Sequence, residues 1–195
     1  LIMSARTFIE KDPDYSTVSA RLLMDSIRRE ALTFVYEQPR QASQHDMEDV
    51  YQDYFKYYIQ RAIDLELLAP ELAQYDLEKL GKALKPENDF NFTYLGLQTL
   101  YDRYFIHQDN TRFELPQAFY MRVSMGLAIN EINREERAIE FYNLLSSFDF
   151  MSSTPTLFNA GTLRPQLSSC YLTSVPDDLG GIYDAIRDNA LLSKY

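Results

Sequence analysis

The chain has 195 residues, and the hydrophobic 46% of them is enough to bury a core. Its 19 basic and 29 acidic side chains leave a net charge of −10, which opposes non-specific binding to DNA, RNA or an anionic membrane. One cysteine, with no Cys-x-x-Cys and no Cys/His cluster, excludes an internal disulfide framework and a structural zinc site, and points to a reducing, cytoplasmic setting.

Residues 1 to 11 include Arg6, Glu10 and Lys11 and lack the long apolar run of a signal peptide. From Asp14 onward Val18, Leu22, Ile27, Ala31 and Val35, widened by Leu23 and Phe34, mark one face of a helix that ends before Pro39. A second helix starts near Asp46, carries Val50, Tyr54, Tyr57, Tyr58 and Ile63 on its buried side, and closes at Pro70. A third shows Leu72, Leu77, Leu80 and Leu84 before Lys85-Pro86. Residues 93 to 129 are the most apolar part and predict core helices, with Pro116 in a first turn where its missing N–H is harmless. Arg134 to Ser147 predicts an amphipathic helix with Ile139, Tyr142 and Leu145 inward.

Near Met151 the pattern changes. Thr154 to Thr162 is rich in hydroxyls and turn formers, and Leu167 to Thr173 has the length and residue mix of a short strand, giving a strand–loop–strand layout. Asp177 and Asp178 stand at the N-cap of a helix carrying Leu179, Ile182, Ile186 and Ala190. The chain starts without methionine and ends in the helix-like run Leu191 to Tyr195 with no stop signal, so it reads as a piece of a longer protein.

Three short segments suit contacts with a nucleotide, which an acidic chain can still bind through a few hydroxyls and N–H groups. Thr154-Pro155-Thr156 and Ser168-Ser169-Cys170 offer neutral donors and a thiol, and Asp177-Asp178-Leu179 offers acceptors for sugar hydroxyls. Each also has an ordinary reading: a lone cysteine is commonly a small buried hydrophobe, and paired aspartates are commonly a helix cap. His45 and His107 fit surface loops, so metal ligands are not expected, and the tyrosines at helical spacing, Tyr51, Tyr54, Tyr57 and Tyr58, read as an aromatic stripe.

The string STPTLFNAGTLRPQLSSC from Ser153 to Cys170 closely resembles the first-strand region of the ribonucleotide reductase large subunit. Asp177 to Asp184 resembles the start of that family's effector-binding helix, and Phe92 to Leu97 and Pro116 to Ala128 resemble its helical N-terminal domain. The resemblance implies a mainly α chain. Residues 1–12 would be the tail of a regulatory ATP cone, 13–150 an all-helical domain, and 151–195 the first strands and helix of an incomplete, ten-stranded α/β barrel. It also implies a class I type of radical reduction of ribonucleoside diphosphates, with Cys170 as one of a redox pair and Thr154 and Ser169 holding ribose or diphosphate. Asp177, Asp178 and Leu179 would contact a nucleoside triphosphate effector; the family often has serine where this chain has Asp178. Expected partners are a second large subunit, a separate metal-containing subunit that supplies the radical, and a thioredoxin- or glutaredoxin-type reductant. The family's radical cysteine and second redox cysteine lie further along the subunit, so this stretch alone is expected to be inactive. The competing reading is a helical interaction module with an incidental cysteine, for which Thr154 to Cys170 would have no use.

Overall fold

In the computed structural model, which describes residues 1–194, long breaker-free stretches become helices and the few prolines and glycines separate them. A short α1 (Ile2–Arg6) packs on α2 (Asp14–Tyr36), a helix ended by Glu37 in the left-handed conformation, φ 56°. The inward side of α2 is Leu23, Met24, Ile27, Ala31, Leu32 and Val35, whereas Val18 is 47% exposed, so the expected stripe is correct from Leu23 on but starts on the wrong face. Next comes α3 (Met47–Asp64), with Glu48 and Asp49 favourably placed in its first turn. It buries Tyr51, Tyr54, Phe55, Tyr58 and Ile59, while Tyr57 faces solvent.

The expected third helix is broken in two, a 3₁₀ turn at Pro70–Gln74 and α4 (Leu77–Lys82). Two side chains set the break: the Asp76 carboxylate accepts the Lys79 N–H at 2.9 Å and starts α4 afresh, and the Tyr75 hydroxyl donates to the Met125 carbonyl at 2.7 Å. A second 3₁₀ turn, Pro86–Asn91, precedes α5 (Tyr94–Arg103), which Thr93 caps through the Gly96 N–H. A hairpin unforeseen in the sequence follows, β1 (His107–Gln108) against β2 (Thr111–Arg112), antiparallel. Its turn residues Asp109 and Asn110 both have positive φ, the geometry that joins two right-twisted strands most tightly.

At the centre lies α6 (Pro116–Ala128), all of whose residues except Gly126 and Leu127 are buried, as expected for a helix covered on every side. Against it pack α7 (Arg134–Ser146), the 3₁₀ turn at Pro86–Asn91 and the short α8 (Thr154–Asn159). The last helix, α9 (Leu179–Lys194), buries only Ala185.

Two polar networks run through this apolar interior. In the first, the Asp89 carboxylate accepts from Arg28 of α2 at 3.1 Å, Tyr51 of α3 at 3.0 Å and Gln117 of α6 at 2.8 Å. Gln117 in turn accepts from Tyr142 of α7 at 2.8 Å, so one carboxylate links four helices. Burial is the largest influence on Asp89 and raises its pKa, with Arg28 and the hydrogen bonds opposing it. In the second network, Glu114 and Arg122 form a fully buried pair, Nε to Oε1 2.7 Å and Nη2 to Oε2 3.2 Å. Glu114 also accepts from the Tyr58 hydroxyl at 2.5 Å and the Ile106 N–H at 2.9 Å. Burial works to lower the Arg122 pKa, but Glu114 and Tyr58 outweigh it and hold the guanidinium charged.

Two outcomes follow for urea unfolding of the chain. Arg122→Met should cost about 3–5 kcal/mol because it strands a buried carboxylate, while Arg122→Met with Glu114→Gln should cost less than the sum of the single changes. The second outcome concerns pH. With its folded pKa above the unfolded value of about 3.9, Asp89 binds a proton more readily in the folded state. The stability of the wild-type chain relative to Asp89→Asn should therefore rise as pH falls through the raised folded pKa, and level off below the unfolded one. A difference that shrinks with acid would reverse the assignment.

Candidate functional site

The segment singled out by its hydroxyls is helical where a strand was expected. Ser153 is extended, Pro155 sits in the first turn of α8, and the helix ends after Asn159. Its last carbonyls have no partner within so short a helix, and Arg122 supplies one: the guanidinium donates to Ala160 O at 2.8 Å and Leu157 O at 3.3 Å. Gly161, at φ 77°, then turns the chain so that its carbonyl accepts the Ala69 N–H at 3.0 Å, and Thr162 bridges to Leu68. This approach needs Gly126, since a Cβ there would lie 2.6 Å from the Ala160 carbonyl carbon. Arg122, Gly126 and Gly161 together fasten α8 to the central helix.

Thr154 occupies the first turn of α8, exposed, with its hydroxyl 3.3 Å from the Tyr104 hydroxyl. Both line a cleft of about 530 Å³ that is also lined by Leu100, Tyr120 and Phe148 and by Thr93 and Thr99. The Tyr104 ring stacks on Phe158 of α8, centroids 4.6 Å apart. Burial raises the Tyr120 pKa. The cleft therefore presents neutral hydroxyls over aromatic walls, a surface able to hydrogen-bond a sugar or phosphate oxygen without a cation.

Beyond Thr162 the chain leaves the helical body. The run Leu167 to Thr173 forms no strand: among the described residues it has no neighbouring strand to share ladder hydrogen bonds. It is held at its start by α8, with Asn159 Nδ2 donating to Gln166 O at 2.7 Å and the Thr156 hydroxyl to Leu167 O at 3.3 Å. Ser168, Ser169 and Cys170 are exposed, Cys170 as a free thiol, and none of them lines the cleft with Thr154. Asp178 caps α9, accepting the Gly181 N–H at 2.8 Å, while Asp177 precedes the cap and is exposed, as is Leu179. The structure thus brings Thr154 into a cleft but leaves Ser169, Cys170 and Asp177 open to solvent.

Among the described residues no cluster of three His, Cys, Asp or Glu could hold a metal ion, and no helix is long and apolar enough to cross a membrane. His45 and His107 are exposed. Sequence reasoning missed Tyr104, Glu114 and Arg122; Glu114 and Arg122, set among Phe113, Leu115, Met121 and Val123, were a usable signal, because buried charges survive only in pairs.

Residues 90–165 match the family model described as ribonucleotide reductase, all-alpha domain. The chain is 51% identical over 195 residues, its full length, to the ribonucleoside-diphosphate reductase subunit alpha of Chlamydia muridarum, and 47% identical over 194 residues to that of Chlamydia trachomatis. It is 51% identical over 123 residues, 63% of its length, to the subunit alpha of Helicobacter pylori. The chain spans 18% of the length of each chlamydial relative and 16% of the third. Mainly helical, matched by the all-alpha domain model and aligned over its own full length with part of the chlamydial subunits, the chain belongs to the ribonucleotide reductase large-subunit family.

Proposed function

We propose that the chain is part of a ribonucleoside-diphosphate reductase that makes deoxyribonucleotides for DNA synthesis in the cytoplasm. The observation that carries this reading is the 51% identity across all 195 residues to a subunit of that name. In the proposed reaction, Cys170 and a second cysteine outside this chain give up two electrons and two protons and become a disulfide. The ribonucleotide's 2′-hydroxyl leaves as water and hydrogen takes its place. Thr154 and Ser169 hold ribose or diphosphate oxygens, Asp177, Asp178 and Leu179 contact a nucleoside triphosphate effector, and a separate metal-containing subunit supplies the radical. A thioredoxin- or glutaredoxin-type protein restores the thiols. Exposure of Cys170 supports the redox role, because a cysteine kept for packing is normally buried.

On the same reading, residues 1–12 are the tail of an ATP cone, 13–150 the helical domain, and 151–195 the opening of a ten-stranded barrel. Exposed Ile182 and Ile186 on α9 support a second copy of the subunit as the partner of that face. The interaction-module reading has no observation in its favour.

In the full-length subunit, Cys170→Ser should abolish sustained turnover while leaving ribonucleotide binding intact, because serine keeps size and hydrogen bonding but cannot form a disulfide. Deoxynucleotide yield per folded subunit, with dithiol in excess, decides it; a near-wild-type yield rejects the assignment. Asp177→Ala should weaken effector binding about 10- to 100-fold, the loss of a charged hydrogen-bond acceptor, with basal reduction retained. Calorimetric titration with a nucleoside triphosphate that finds unchanged affinity would remove Asp177 from the effector site.

A further inference from the structure

Thr154 carries a hydroxyl with one proton to give and two lone pairs. A phosphate oxygen without a proton can only accept, so Thr154 must donate to it, and the hydroxyl is best oriented if another donor occupies its own lone pair. The Tyr104 hydroxyl, 3.3 Å away, is the one hydrogen-bond partner of Thr154 Oγ1 among the described residues. Packing sets where that phenol sits. Its ring stacks on Phe158 at 4.6 Å, in the same short helix as Thr154, and meets the buried Phe119 of α6 edge-on at 6.3 Å.

We infer that Tyr104 is a positioning residue for the nucleotide: it donates to Thr154 Oγ1, which then donates to an anionic oxygen of the bound diphosphate. The inference rests on the substrate role proposed for Thr154. Tyr104 has no need to touch the nucleotide. It fixes the Thr154 rotamer and, because each hydrogen bond in such a chain polarises the next, makes the threonine proton a better donor. Tyr104 is the residue that directly follows α5, about fifty residues upstream of the segment that carries the family's string, so the site draws on two separate parts of the chain.

The test is a double-mutant cycle in the full-length subunit, read as the dissociation constant of cytidine 5′-diphosphate at a fixed effector concentration, with urea unfolding run in parallel. Tyr104→Phe keeps both ring contacts and should leave the unfolding midpoint unchanged while weakening binding about three- to tenfold, the worth of one neutral hydrogen bond. Thr154→Val should weaken binding at least as much, Thr154→Ser should largely restore it, and Tyr104→Phe should add nothing on top of Thr154→Val. If Thr154→Val weakens binding but Tyr104→Phe does not, or if the two losses add independently, the positioning role is overturned and the role of Thr154 stands. If Thr154→Val leaves binding unchanged, the substrate assignment of Thr154 itself falls, and the Tyr104 inference with it.

Discussion

Moving a guanidinium and a carboxylate out of water costs several kcal/mol per ion unless they meet and every remaining donor and acceptor finds a partner. Glu114 and Arg122 satisfy that condition at the centre of the molecule, and the arrangement around them follows from having to satisfy it. The carboxylate needs more than its ion-pair partner, so Tyr58 of α3 and the Ile106 backbone are drawn to it. The guanidinium has N–H groups left over, so the chain end of α8 is drawn to Arg122. An apolar pair of equal volume at these positions would pack α6 against its neighbours, but it would give α8 no reason to end where it does. Orienting that short helix is what the buried charge adds beyond stability.

The Asp89 network does a parallel job. One carboxylate receives donors from α2, α3 and α6, and Tyr142 of α7 joins through Gln117. Each donor comes from a different element, and none can slide along its axis by a turn without leaving a buried polar atom unpaired, a loss of about 1–3 kcal/mol. Hydrophobic contacts tolerate such slips far better, being non-directional. The two networks therefore fix the register of helices that Leu, Met and aromatic side chains merely hold together.

This division explains what was legible in the sequence. Helices α2, α3, α6 and α7 follow from apolar periodicity and from Pro39 and Pro116, because burial of one face is a local pattern. Where one polar side chain decided the outcome, periodicity failed. Asp76 and Tyr75 broke a helix that Leu72 to Leu84 would have continued, and the Asp109-Asn110 turn made a hairpin inside a stretch read as helix. The strand expected at Leu167 to Thr173 failed for another reason: a strand takes its hydrogen bonds from a neighbour, and composition cannot supply one. The candidate site was legible only through the likeness of Ser153 to Cys170 to a known family, since hydroxyls, a thiol and paired aspartates are common on any surface. Tyr104 was invisible to both approaches, lying outside the string and looking like ordinary core packing.

The contrast between the two ends of the Thr154 to Leu179 stretch has a physical cause. Up to Thr162 the backbone is fastened by a buried guanidinium, a positive-φ glycine and a two-residue bridge, so the Thr154 hydroxyl is held by a rigid body. From Leu163 to Asp178 nearly every side chain is exposed, and the holds on the backbone are a few exposed side-chain hydrogen bonds, which compete with water and are individually weak. In the proposed role a thiol that gives up electrons needs such openness, because it must meet first the ribonucleotide and a second thiol and then a reductant, whereas a hydroxyl that holds a phosphate needs the opposite. The charged pair at the core thus governs the proposed binding half of the site and leaves the proposed redox half to be ordered by whatever packs against Cys170 and α9.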